Sequence, residues 1–197
     1  MALFSLFRKD PLKEPAHALY TQCGEYARKI EFFTRLEVAD TFDGRFDMLA
    51  LHVYFGLRRL RRAAEAAEAV GDEAAGQKFR TIAQHVTDVA FGDFDRSLRM
   101  HGVSDTGIGK RVKKMTKAFY GRLKAYDEAL ADPSVDMNDV VARNIYRGED
   151  VGADALQNMV AYLRQESVGR DDDRTKDGEL SAGRIEFGAI PAQVQRN

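Results

Sequence analysis

The sequence has one cysteine, four prolines, no apolar run long enough to cross a bilayer and almost no excess of either charge. Each shortage removes a class of protein. Cys23 alone can form no intramolecular disulfide and no cysteine-rich zinc site, which fits a reducing compartment. No segment approaches the roughly 20 apolar residues of a membrane-spanning helix. The start, residues 1–9, lacks the basic and long apolar regions of a secretion signal, so a cytoplasmic location is expected. Lys+Arg 30 against Asp+Glu 31 leaves a net charge of -1; no whole-molecule field attracts nucleic acid, and DNA is not an expected partner. His17, His52, His85 and His101 are far apart, none with a second His or Cys one helical turn away, so no metal site is expected. No Gly-x-Ser-x-Gly elbow occurs, and Gly109-Lys110 is followed by Arg111 where a phosphate-binding loop needs Ser or Thr. No catalytic residue and no cofactor is assigned.

What is present is helical periodicity. At 197 residues and 44% hydrophobic content the chain suits one buried core, and the scarcity of proline leaves long stretches free to form helices. The expected fold is all-α: a single-domain bundle of about six helices with short loops over residues 16–168. An N-terminal arm, residues 1–15, precedes it, and a charged, glycine-dotted tail, residues 169–197, follows. The tail is expected to be disordered or docked loosely through Ile185, Phe187 and Ile190. In the arm, Leu3, Phe4, Leu6 and Phe7 ahead of Arg8 and Lys9 suit either a membrane interface or the protein's own surface.

Leu19, Cys23, Tyr26, Ile30 and Phe33 step by four and three, the stripe of a first helix that ends before residues 40–44. A second helix carries Phe46, Leu49, Val53, Leu57 and Leu60 on one side and Met48, Leu51 and Phe55 on the other, which places it in the middle of the bundle. A third starts near Asp72 with Phe79, Ile82, Val86 and Ala90 inward, bends or breaks at Gly92, and closes on Gly102. The fourth, capped by Ser104 or Asp105, has the clearest register: Ile108, Val112, Met115, Phe119, Leu123, Tyr126 and Leu130. Asp132-Pro133 is read as a restart leading to Met137, Val140, Val141 and Ile145, and a last helix spans residues 153–167.

Two features stand out as candidate contact surfaces. Residues 106–125 contain seven cations and no acid. At 100° per residue Lys110, Lys113, Lys114, Lys117 and Lys124 share the face opposite the apolar stripe. Such a ridge is either a solvated face answered by acids of a neighbouring helix or a dock for RNA phosphate, an acidic protein or anionic headgroups. On the central helix, His52 points near Arg45 and Arg59, and Asp47 near Tyr54 and Arg58. His52 reads as a satisfied core histidine; the competing reading is a general base, His52 or His101, in a small helical enzyme. Asp47 and Arg58 read as an internal pair.

Three ordered blocks carry a family resemblance. Arg45-Phe46-Asp47 through Leu51-His52-Val53 to Leu57-Arg58-Arg59-Leu60 is the first. Phe91-Gly92-Asp93-Phe94-Asp95 through Leu98-Arg99 to His101-Gly102-Val103-Ser104-Asp105 is the second, and Lys110-Arg111 to Lys114-Met115 with Phe119-Tyr120-Gly121-Arg122 and Tyr126 is the third. Together, over residues 16–147, they resemble the ubiquinol-cytochrome c chaperone family, and the nearly absent N-terminal extension suits a bacterial relative. The resemblance implies an assembly factor for respiratory complex III that holds newly made cytochrome b, near the ribosome or the inner-membrane surface, together with a small partner protein, and that catalyses no reaction. On that basis Lys110, Lys113, Lys114 and Lys117 are expected to dock the protein. Asp95, Arg99 and Asp105 of the 91–105 block and the central-helix residues His52 and Arg59 are expected to shape the client groove, and Tyr120 of the third block is a further expected partner-binding residue. A helical RNA- or ribosome-binding module using the 110–124 face is the alternative.

Overall fold

Helix-forming stretches bounded by polar caps dominate the computed structural model, which describes residues 10–100, 102, 105–168 and 177–191. The apolar arm at residues 1–9, the tail residues 169–176 and 192–197, and His101 and Ser104 lie outside the described residues. The described residues form eight helices and no strand: α1 (Lys13–Ala27), α2 (Ile30–Thr34), α3 (Phe42–Ala69), α4 (Glu73–Met100), α5 (Asp105–Ala131), α6 (Met137–Asn144), α7 (Ala153–Val168) and α8 (Asp177–Ser181). Six of them are eight residues or longer, so the expected all-α bundle is what folds.

The first expected helix is two. Lys29 adopts φ -58° and ψ 131°, outside the helical region, so α1 ends at Ala27 and α2 starts afresh at Ile30. The break rotates the stripe: Phe32 takes the inward position and Ile30 is 61% exposed. Helix α3 begins at Phe42, earlier than its apolar stripe, because the Thr41 hydroxyl accepts the Gly44 N–H at 3.1 Å. Asp72 caps α4 through Ala75 N–H. That helix runs unbroken through Gly92, since Ala90 and Phe94 on either side are buried and hold it straight; the expected bend does not occur. Gly102, at φ +74°, terminates it as expected. The restart at Pro133 also does not occur. Asp132 instead closes a turn on Ser134, and Asp136 caps α6 through Asn138 N–H at 2.8 Å.

Helix α3 packs against α1, α4, α5 and α7, the central place its two apolar sides require. Met48, Leu51 and Phe55 belong to one core cluster, shared with α6 and α7, whereas Phe46, Val53 and Leu60 belong to a second, shared with α1 and α4. Phe94 joins the second cluster edge-on to Phe46 and Phe119, at ring distances of 5.2 and 5.8 Å. Cys23 is fully buried there, its Sγ 3.4 Å from the His52 carbonyl, and burial pushes the thiol up to about 12; it is a packing residue. Residues 177–191 dock more tightly than the sequence suggests, with Leu180 and Ile185 buried in the second cluster and Phe187 packed against both.

Candidate functional site

The ten candidate contact residues fall on three parts of the bundle. Lys110, Lys113, Lys114 and Lys117 are all exposed on α5. None of the four has an ion-pair partner among the described residues, whereas Lys124, further along α5, pairs with Glu128 at 3.5 Å. Among the described residues no acid of a neighbouring helix pairs with these four lysines. Arg122, from the same basic stretch, leaves the ridge and turns inward, donating to the Asn144 and Ala118 carbonyls and pairing with Asp47 at 2.7 Å. Lys110 to Lys117 cover about 10 Å of helix axis, a spacing that sets several like charges within one Debye length of each other.

Tyr120 lies one turn beyond Lys117, 51% exposed, with its ring edge-on to Phe91 at 5.6 Å. It borders a cavity of ≈ 500 Å³ between α3, α4 and α5 with Leu57, Leu60 and Arg61. Asp95 and Arg99 pair with each other at 2.9 Å one turn apart on the surface of α4, away from His52 and Arg59. The side chain of Asp105 lies outside the described residues.

His52 sits inside the bundle with its ring against Tyr26, Phe32 and Phe187. It is fully buried, with Nδ1 2.7 Å from the Met48 carbonyl and Nε2 2.9 Å from the Tyr162 hydroxyl. A carbonyl only accepts, so Nδ1 carries the proton and Nε2 accepts from Tyr162. Both ring nitrogens are thus used, which leaves no free nitrogen for a general base and only the ring face to meet other groups. Burial holds its pKa down at about 4 in spite of the Met48 bond. The unfolded chain, with an ordinary His, takes up a proton near pH 6.5 that the folded one refuses until about 4. Stability is therefore complete above pH 6.5 and is lost as pH falls through that window. The loss is on the order of 3 kcal/mol at the acid end. Urea midpoints of the wild type and of His52→Gln at pH 7.5 and 4.5 measure it: the wild type should lose more on acidification than the variant, and equal losses would contradict the assignment.

The other polar residues of α3 are internal staples. Asp47 and Arg58 do not pair, because eleven residues of helix separate them by about 16 Å along the axis. Asp47, 0% exposed, is instead gripped by Arg122 at 2.7 Å and by Arg147 at 2.6 Å, and Arg147 also reaches Asp43. Burial pushes the Asp47 carboxyl up from its ordinary value, and the Arg147 and Arg122 guanidinium groups pull it back. Arg58 meets Asp127 at 3.0 Å, where Arg61 and the Tyr54 hydroxyl converge. Arg59 pairs with Glu166 at 2.8 Å beneath the docked tail. Nothing local in the sequence signals these contacts, which join residues 66 to 107 apart in the chain. Among the described residues no cluster of three or more His, Cys, Asp or Glu side chains is arranged to hold a metal. No helix among them is long and apolar enough to cross a membrane.

Comparison with known proteins adds to this geometry. The family described as ubiquinol-cytochrome C chaperone matches residues 34–172. Ubiquinol-cytochrome c reductase complex assembly factor 1 of Mus musculus is 24% identical over 160 residues, 81% of this chain and 50% of that protein. Its namesake in Xenopus laevis is 22% identical over 173 residues, 88% of this chain and 79% of the relative. The chain thus spans about half the length of the mouse protein. The crystal structure of the Cbp3 homolog from Brucella abortus superposes with a TM-score of 0.69 at 30% identity, covering 89% of this chain and 90% of that one.

Proposed function

The chain belongs to the ubiquinol-cytochrome C chaperone family, and we propose that it assists assembly of ubiquinol-cytochrome c reductase, respiratory complex III, by holding newly made cytochrome b. It acts without cofactor or chemistry of its own, in the cytoplasm and at the cytoplasmic face of the inner membrane. The observation that carries this reading beyond the family is the α5 ridge: four exposed lysines without an acidic partner among the described residues, on an otherwise nearly neutral protein. Unanswered like charges along one helix face cost stability, and a phosphate-bearing surface, the ribosome or the membrane headgroups, supplies the missing counter-charge. A client that emerges from a ribosome and enters a membrane passes both. Recruitment and holding are then separate tasks, the ridge doing the first and the apolar surfaces of the bundle the second.

The same ridge favours a second reading, a plain RNA-binding module. The two separate in a pulse-chase experiment with an affinity-tagged chain in the host. Labelled cytochrome b should co-purify after a short pulse, resist RNase and high salt once bound, and leave during the chase as complex III forms. Recovery of RNA alone, with no labelled cytochrome b, would reject the chaperone reading.

A further inference from the structure

The bundle grips its own tail in an uncommon way. After the turn at Gly183, residues 184–188 cross α1, α3 and α7 without regular secondary structure, and side chains of those helices take hold of the main chain of 183–188. Gln22 Nε2 donates to the Gly183 carbonyl at 2.6 Å, and Gln22 Oε1 accepts from Ile185 N–H at 3.1 Å. Arg59 donates to the Glu186 carbonyl at 2.5 Å, Glu166 accepts from Gly188 N–H at 2.9 Å, and the Tyr26 hydroxyl donates to the Gly188 carbonyl. Among the described residues, the main chain of 185–191 makes no backbone-to-backbone hydrogen bond. Every one of these contacts reads backbone groups that any extended peptide presents.

Side-chain selection is apolar and alternating. Ile185 and Phe187 point inward, and Arg184 and Glu186 point out, the period of an extended chain. Ile185 packs over Gly56, whose lack of a side chain lets Leu19 come close, 2.8 Å from where a Cβ would lie, while Ile185 stands in ordinary contact at 3.8 Å. The Phe187 ring lies 4.8 Å from Tyr26 and 5.1 Å from His52, with the Arg59 guanidinium over its outer face at 5.4 Å. Gly183, at φ +78°, starts the segment against the Pro15 main chain, where a Cβ would fall 2.2 Å from the Pro15 carbonyl oxygen. The occupant does not fill the site. A cavity of ≈ 370 Å³ remains beside it, between Ile185 and Phe187 and the α1 residues Gln22, Glu25, Tyr26 and Lys29.

We propose that this groove is an extended-peptide site, held in cis by residues 183–191 and taken in trans by a stretch of client polypeptide with apolar side chains at alternate positions. The proposal rests on the chaperone reading for the identity of the client and deepens it by giving the client a seat. Gln22, Tyr26, Arg59 and Glu166 supply sequence-independent main-chain affinity, and the apolar seat of Ile185 beside Leu19 and Gly56 and the Tyr26–His52 face supply the apolar preference. Tethering gives the chain's own segment a high effective concentration, so a weak ligand is excluded and a client held at a second surface displaces it.

The test uses the full-length protein and a fluorescent peptide with the sequence of residues 183–191. Phe187→Ala loosens the tethered segment and leaves the groove intact, so the peptide should bind this variant more tightly than the wild type by about tenfold or more. Adding Glu166→Gln and Tyr26→Phe should abolish the gain, and a peptide with alanine in place of its phenylalanine should not bind. Equal or absent binding to a Phe187→Ala protein with native circular dichroism would overturn the proposal. Hydrogen exchange on the wild type serves where that variant fails to fold. The Ile185 and Gly188 amides should exchange faster than those of α3, and exchange only at the rate of global unfolding would show that the segment never leaves. Neither measurement needs cytochrome b, so peptide binding beside a normal level of complex III would keep the groove and remove its client.

Discussion

Replacing Asp47 with alanine is expected to lower the stability of the protein by roughly 3–5 kcal/mol, the largest loss for any polar residue of the bundle. The carboxylate is 0% exposed and joins three elements: α3, which carries it; α5, through Arg122; and the turn after α6, through Arg147. Removing one partner of a buried pair leaves the other charged and dry, and the penalty falls on Arg122, whose side chain is 11% exposed. Arg147, at 38%, can turn to water, so Arg147→Ala should cost much less, near 1 kcal/mol. The double variant Asp47→Leu with Arg122→Met should recover part of the loss, because a well-packed apolar pair often replaces a buried ion pair without penalty. Urea unfolding followed by circular dichroism measures all three. A cost below about 1 kcal/mol for Asp47→Ala would show that solvent reaches the pair.

Reversing Lys110, Lys113, Lys114 and Lys117 to glutamate should weaken binding to anionic vesicles or to ribosomes by on the order of 1,000-fold at low salt, taking about 1 kcal/mol per cation near such a surface. The four side chains are exposed and make no ion pair among the described residues, so helicity and melting temperature should stay as they are or rise as repulsion along α5 is relieved. The wild type should lose affinity steeply with salt and the variant should not. Cosedimentation across a salt series reads both. A variant that still sediments like the wild type would place the contact elsewhere and leave the ridge a solvated face.

Short-range physics was readable from the residues, and long-range pairing was not. The α5 stripe from Ile108 to Leu130 has an unbroken period of three and four, and each of its members is buried or half-buried. The two apolar sides of α3 foretold its central place for the same reason: burial on both faces leaves a mark on composition. Boundaries set by a single side chain were less legible. Lys29 breaks the first helix by leaving the helical region without a proline or glycine to announce it, and Asp136 outcompetes Asp132 as a cap although both are well suited. Gly92 read as a bend because an isolated glycine weakens a helix by about 1 kcal/mol, a deficit that the buried Ala90 and Phe94 outweigh.

Of the candidate site, the lysine ridge was visible because it lies within one helix. The partners of Asp47, Arg59 and His52 were invisible because they come from α5, α7 and the tail, separated by about 70 to 130 residues of chain. Helical geometry places Asp47 and Arg58 on neighbouring sides of α3, but their axial distance forbids contact. The charged composition of the tail carries no sign that Ile185 joins the second core cluster or that Phe187 packs against Tyr26 and His52.

The measurement that bears most directly on the account is the level of assembled complex III in a host lacking this protein. Complex III and spectrally detectable cytochrome b should fall together while the other respiratory complexes remain, and the wild-type chain should restore both better than the form with the four lysines reversed. A host with normal complex III and normal cytochrome b would contradict the account.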